Sequence, residues 1–176
     1  AGSGTETIES DAPSTDIFWD LVFDDSGGSA TWQVTSTMDV DGGLTITGGT
    51  LDANGSNIYV GKNWDNDDTF THSNATVLFD GEVASSYLID ADGTGTDSFY
   101  NVTVGGNSSA IWVMNTDMDV DNDLIISTSE LSLGTGNTLY VGGDFTNNNR
   151  FTESTGTLTM NGGAGTHWID TSEAES

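Results

Sequence analysis

Short stretches of alternating apolar and polar residues recur along the whole chain. Met38 and Val40 enclose Asp39, and the same alternation appears at Leu44–Ile46 and Ile58–Val60. Such clusters return about every 6 or 7 residues, a spacing typical of very short strands. Because successive side chains of a strand point to opposite faces, each cluster predicts one strand with one buried face. Strands this short favour a triangular coil of about 20 residues per turn.

The pattern of the first half of the chain returns in the second half. MDVDGGLTI begins at residue 38 and MDVDNDLII at residue 118, an offset of 80. NIYVG begins at residue 57 and TLYVG at residue 138, an offset of 81. The single-residue shift falls in loop-like sequence, where insertions are tolerated. We therefore predict a tandem duplication, with a polar tail and first edge strand at 1–14, repeats at 15–95 and 96–170, and a tail at 171–176. Four coils of about 20 residues would make each repeat a whole number of turns.

Composition and charge narrow the function classes. The 176 residues include 23 Gly, one Pro and no Cys, which suits strands and turns without disulfides or thiolate metal sites. The formal net charge is −26, with Lys62 and Arg150 as the only Lys and Arg. This charge excludes nucleic acid as a partner, and no segment has the apolar length for membrane insertion. Two separated cations cannot form the basic cluster that stabilises an anionic transition state. We expect no enzyme and no required cofactor.

Two rows of aspartates are candidate metal ligands. Asp39 and Asp41 flank Val40, so both side chains point to one side of their predicted strand. Their second-half counterparts are Asp119 and Asp121, with Asp123 close by. Hard carboxylate oxygens are the ligands that Ca²⁺ prefers. Bound Ca²⁺ and a plain solvated turn both fit these rows.

Several motifs resemble a known family. SFYNVTV from Ser98, DMDVDNDLII from Asp117 and NTLYVGGDFTNNNRFTESTGTLTMNG from Asn137 look like repeats of large secreted β-solenoid proteins of bacteria and archaea. The resemblance implies a right-handed parallel β-helix in an adhesin-like or surface-structural protein, at an extracellular or cell-surface location, without catalytic residues. An alternative fold is two tandem antiparallel β-sandwiches. Large side chains for a narrow solenoid core favour the alternative, namely Trp19, Trp32, Trp112 and Trp168.

The two ends of the chain share one phase of the repeat. TIESDAPSTD from Thr7 matches LIDADGTGTD from Leu88, and WID at 168–170 matches the start of the latter segment. A second copy placed after Asp170 would therefore continue the coils, which predicts a head-to-tail homopolymer, a structural filament or surface layer. The predicted assembly edges are Thr7, Ile8 and Glu9 at one end and Trp168, Ile169 and Asp170 at the other. The alternative function is an adhesin or carbohydrate-binding stalk module of a larger secreted repeat protein, with Tyr59 and Tyr140 stacking on glycans. A longer array of such repeats would give the same match between the two ends.

Overall fold

The structure, a computed structural model, describes residues 4–10, 18–27, 29–91 and 97–171. This part of the chain is all-β, without helix, and its parallel strands stack into a β-solenoid of about 7 turns. None of the described residues forms a helix long and apolar enough to cross a membrane. The predicted solenoid fold is confirmed. The alternative of antiparallel sandwiches is wrong, because every ladder between described strands is parallel.

The strands are short and follow one another closely. They begin with β1 (Thr5–Ile8), β2 (Leu21–Phe23), β3 (Thr31–Val34), β4 (Met38–Val40), β5 (Leu44–Ile46), β6 (Thr50–Asp52), β7 (Ile58–Val60), β8 (Trp64–Asn66), β9 (Thr69–Thr71) and β10 (Thr76–Phe79). The remainder are β11 (Ser86–Asp90), β12 (Asn101–Val104), β13 (Ile111–Met114), β14 (Met118–Val120), β15 (Leu124–Ile126), β16 (Glu130–Ser132), β17 (Thr138–Val141), β18 (Phe145–Asn147), β19 (Arg150–Thr152), β20 (Thr157–Met160) and β21 (Ile169–Asp170).

The strands form three faces of the solenoid. Along the chain, each coil passes from the first face to the second and then to the third. The first face contains β1-β3-β6-β9 and, further along, β14-β17-β20. The second face is the sheet β4-β7-β10-β12-β15-β18-β21, and the third is β2-β5-β8-β11-β13-β16-β19. We place β14, β17 and β20 on the first face because each follows a third-face strand and precedes a second-face strand.

Equivalent strands of the two repeats lie on different faces. The MDV strand is β4 on the second face in the first copy and β14 on the first face in the second copy. One coil contains three strand positions, one on each face. When the isolated bridges at Phe18 and Phe99 are also counted as strand positions, equivalent strands are 11 positions apart, or three and two-thirds coils. The expectation of a whole number of turns is therefore wrong. Each copy is turned by one third of a coil relative to the previous one.

Apolar side chains fill the inside of the coils. The alternation along β4, β7 and β10 buries Val40, Val60 and Phe79 completely, while Asp39 and Tyr59 face outward and are half-buried. Trp112, whose size favoured the sandwich alternative, lies fully inside the solenoid, and so does Trp64. Trp19 and Trp168, by contrast, are exposed by 66% and 68%.

Glycine allows the coils to stack closely at one equivalent corner. A Cβ on Gly61 would lie 2.3 Å from the carbonyl oxygen of Asp41, and a Cβ on Gly142 would lie 2.3 Å from that of Asp121. Both distances are far below van der Waals contact, so a side chain at either position would force the neighbouring coils apart.

Candidate functional site

The two end coils have open sheet edges. Within the described residues, β1 and β2 pair only with the following coil, through β3 and β5. At the other end, the described residues pair β19, β20 and β21 only with the preceding coil. The outer edges of these strands can therefore pair with a strand of another chain, as sheet edges do.

The predicted edge residues lie on these strands. Thr7 and Ile8 are in β1, opposite Gln33 and Val34 of β3, and Glu9 follows directly. At the other end, Ile169 and Asp170 form β21 and lie opposite Phe145 and Thr146 of β18. The backbone N–H of Trp168 donates to Asp144 Oδ1 at 2.8 Å. Trp168 and Ile169 are 68% and 57% exposed. The structure thus places the predicted edge residues at opposite ends of the solenoid.

Seven apolar side chains pack on the core without being fully buried, and the repeat explains them. Their counterparts at the same phase of the repeat are at most 4% exposed. At the N-terminal end the half-buried members are Ile8, Phe18, Leu21 and Trp32, and their buried counterparts are Ile89, Phe99, Val102 and Trp112. At the C-terminal end they are Phe151, Leu158 and Met160, with counterparts Phe70, Val77 and Phe79. We call these seven residues the end set. Six members differ from their counterparts because the described residues give them a neighbouring coil on one side only. Trp32 is the exception, since it lies between Glu6 of β1 and Leu51 of β6.

An acidic cluster lies on the outer side of the second face in the first copy. Burial, then the nearby charge of Asp39, raises the pKa of the Asp80 carboxyl from 3.8 to about 6, with smaller contributions from Glu82 and Asp41. Burial likewise raises the pKa of Asp39, and the charges of Asp41 and Glu82 add to it. The cluster thus joins residues that are two coils apart on the second face, because β7 lies between β4 and β10. It includes two of the predicted metal ligands, Asp39 and Asp41.

The corresponding place in the second copy is less charged. Asn161 stands where the first copy has Asp80, and its side chain hydrogen-bonds to Asp119. Burial, followed by the charge of Asp121, still raises the pKa of Asp119. Asp123 Oδ1 accepts a hydrogen bond from the backbone N–H of Asp144 at 2.8 Å. In the described parts of the chain, no three His, Asp or Glu side chains are grouped so that they could hold a metal ion. Calcium binding stays a prediction.

Sequence reasoning found the aspartate rows but missed Asp80 and Glu82. Both residues are distant from Asp39 in the sequence and join it only because the coils stack. A comparison of the two repeats could have drawn attention to Asp80, since its counterpart is the neutral Asn161.

We expect Asp80→Asn to stabilise the protein above pH 6. Because the folded-state pKa of Asp80 is raised from 3.8 to about 6, the protein binds this proton more tightly when folded. The resulting stability is complete below about pH 4 and is lost as the pH rises through 6. After allowance for partial exposure to water, ionisation costs about 1–2 kcal/mol at pH 7.5. Thermal unfolding should show Asp80→Asn melting several degrees higher at pH 7.5 and equally at pH 4.

The same melting series tests calcium at the aspartate rows. An ion bound only by the folded state raises the melting temperature by mass action. Millimolar Ca²⁺ should therefore stabilise the wild type relative to a chelator, and more strongly than it stabilises Asp80→Asn. Coincident wild-type curves would exclude a calcium role, and a melting temperature of Asp80→Asn unchanged at pH 7.5 would exclude the proposed repulsion.

His72 links the end of the first copy to the second copy. Its ring stacks on Tyr100, with centroids 5.5 Å apart, and its Nε2 lies 3.0 Å from Asp121 Oδ2. The Ser98 hydroxyl donates to the same carboxylate oxygen at 3.1 Å. The only two Lys and Arg side chains have other contacts. Arg150 forms an ion pair with Glu130 at 3.2 Å, and Lys62 lies 4.1 Å from the centre of the Trp19 ring.

The two tyrosines considered for glycan stacking do not form a common ridge. Tyr59 lies in β7 on the second face, and Tyr140 lies in β17 on the first face. Both are half-buried, whereas stacking on a glycan needs an exposed ring face. The one-third turn between the copies separates them. Glycan binding stays a prediction without a shared aromatic face to support it.

Comparison with protein families, with curated proteins and with solved structures found no match for this chain. The class of the protein, a parallel β-solenoid, therefore rests on its own strand pairing.

Proposed function

We propose that the protein is a non-enzymatic structural subunit that polymerises head to tail through its two open end coils. The end set is the observation that carries this proposal. Six of the seven half-buried residues of the set, all except Trp32, would be covered by one further coil, as their counterparts in the middle of the solenoid already are. A second copy of the chain offers that coil at each end.

The expected strength of the contact is moderate. Burial of apolar surface contributes about 25 cal/mol per Å², so completing the burial of six partly covered side chains contributes on the order of 5–10 kcal/mol. New ladder hydrogen bonds add to this, while the lost freedom of two bodies costs at least about 4 kcal/mol. Assembly should therefore depend on concentration.

The symmetry of the contact favours a filament. Two different surfaces of identical subunits meet, and such an interface extends without limit unless it closes into a ring. A stacked solenoid advances along its own axis by about 4.8 Å per coil, which leads to a rod. The resemblance of the repeats to secreted β-solenoid proteins supports an extracellular or cell-surface location for this rod.

A concentration series tests the proposal. Sedimentation velocity and negative-stain electron microscopy of residues 1–176 in molar salt should show monomers at low concentration and unbranched rods at high concentration. Molar salt is needed because a net charge of −26 opposes association. Monomers at every concentration and salt would overturn the proposal.

A further inference from the structure

We propose that each new copy inserts its β1 in place of the preceding copy's β21, so that the contact between copies reproduces the junction between the two internal repeats. This inference rests on the proposed self-assembly and specifies its partner, register and mechanism. It is supported by a strand position that occurs three times in the chain.

The strands β1, β11 and β21 are equivalent. They are successively 11 strand positions apart, and one lies on each face of the solenoid. A detailed contact repeats as well. The backbone N–H of Leu88 at β11 donates to Asn63 Oδ1 at 2.9 Å, and that of Trp168 at β21 donates to the equivalent Asp144 Oδ1 at 2.8 Å. β21 is therefore a shorter equivalent of β11.

The internal strand β11 has partner strands on both sides, whereas β1 and β21 each have one among the described strands. β11 lies between β8 and β13. β21 pairs with β18, the counterpart of β8, and β1 pairs with β3, the counterpart of β13. A junction built like the internal one needs a single strand between β18 and the next copy's β3. Two copies bring two strands for this place, so one must leave.

The numbers of pairs indicate that β21 leaves. β1 has four residue pairs with β3, from Thr5 opposite Thr31 to Ile8 opposite Val34. β21 has only two pairs with β18, and its apolar residue Ile169 is 57% exposed. Removing β21 therefore sacrifices fewer contacts than removing β1 from its own chain. The incoming β1 then places Ile8 opposite Phe145, as Ile89 lies opposite Trp64 at the internal junction.

We call the contact between two copies the seam. Its remaining residue pairs follow from the internal junction between the two repeats. β10 pairs with β12, and Phe79 lies opposite Val104. The equivalent seam ladder joins β20 to the next copy's β2, with Leu158 opposite Leu21 and Met160 opposite Phe23. The Phe99 ring lies 5.7 Å from the Phe70 ring, so the next copy's Phe18 should pack on Phe151. The edges of both end coils find partners in one register.

One contact that is favourable at the internal junction becomes repulsive at the seam. His72 lies 3.0 Å from Asp121 at the internal junction, but the equivalent seam residues are Glu153 and the next copy's Asp41. Two carboxylates would then face each other where the repeat has a histidine and a carboxylate. Both carboxylates lie near the surface, where dissolved salt screens their repulsion. At 1 M ionic strength the screening length is about 3 Å. Exchange should accordingly be favoured by molar salt.

A disulfide lock tests the exchange, since the chain has no cysteine of its own. Thr146 and Asp170 are direct neighbours in the β18–β21 ladder, a separation that a disulfide spans. The double variant Thr146→Cys/Asp170→Cys should stay monomeric when oxidised in molar salt and form rods as the wild type does after reduction. Both single variants serve as controls and should form rods in either state.

A second pair reports the new contact itself. In the exchanged seam Glu9 of the incoming copy lies beside Thr146, because Asp90 lies beside Asp65 internally. Glu9→Cys/Thr146→Cys should therefore give covalent ladders of oligomers on non-reducing gels. Rods from the oxidised lock in wild-type amounts, or the absence of these ladders from intact rods, would overturn the exchange while leaving self-assembly standing. Absence of rods from wild-type protein would overturn the assembly and the exchange together.

Discussion

Ile8→Asp should abolish filaments while leaving the subunit folded. Ile8 is half-buried at the open edge, so the folded monomer loses about 1 kcal/mol and melts a few degrees lower. At the seam the new carboxylate would lie against Phe145 with its water removed, which costs several kcal/mol. A cost of about 3 kcal/mol raises the critical concentration about 100-fold. Pelleting assays across concentration, with circular dichroism of the unassembled protein, measure both effects.

The equivalent substitution inside the solenoid is the matched control. Ile89 has the same place in its repeat as Ile8 but no exposed surface. Ile89→Asp should therefore unfold the coils around β11, with a loss of several kcal/mol in the free energy of unfolding. Normal filaments from Ile8→Asp would show that the edge of β1 is not at the seam, and equal melting losses in the two variants would show that β1 is an ordinary core strand.

Trp64→Ala should cost about 3–5 kcal/mol of unfolding free energy, whereas Trp64→Phe should cost less than about 1 kcal/mol. Trp64 is 1% exposed, and its ring lies 4.9 Å from Phe70 and 5.2 Å from Phe99, with Phe79 also in contact. It therefore joins the two repeats at the internal junction. Alanine would leave a cavity there, and the open coils would lose their common contact.

Phenylalanine should be tolerated for two reasons. The Trp64 indole N–H is buried without a hydrogen-bond partner among the described residues, and its removal relieves a cost of about 1–3 kcal/mol that offsets the lost volume. The second repeat already has Phe145 at the equivalent place. Urea denaturation of the two variants measures the difference. A loss for Trp64→Phe as large as that for Trp64→Ala would mean that the indole shape itself is required.

Alternation and repetition predicted much of the fold. Segments such as Met38–Val40 show which side chains are buried, and their short spacing indicated a solenoid in place of hairpins. The number of coils per repeat could not be obtained in this way. Coil lengths vary, because the step along the chain from Ile58 to its partner Val77 is shorter than the step from Thr76 to its partner Asn101. An average of about 20 residues therefore gave four coils instead of three and two-thirds.

The candidate site residues were predictable where they depend on their position in the repeat and not where they depend on the stacking of coils. The match of Ile8 to Ile89 located the edge strands. The structure was needed to show which side chains of the end coils stay half-buried. Met160 and Trp32, at opposite ends of the solenoid, resemble ordinary core residues in the sequence. Asp80 was missed in the sequence because its proximity to Asp39 depends on stacking: Asp39 lies two coils earlier on the second face.

The rise per subunit in the filament, measured by electron cryomicroscopy, is the most direct test of the account. From β1 to β21 the chain advances by 22 strand positions, or seven and one-third coils. With strand exchange, successive subunits should therefore be about 35 Å apart along the axis, with the three faces displaced by one third of a turn. If β21 stays in place and the copies stack on it, each subunit adds one more coil and the rise is about 40 Å. A rise of about 35 Å with β1 between β18 and β3 is the predicted result, and a rise of about 40 Å would contradict it.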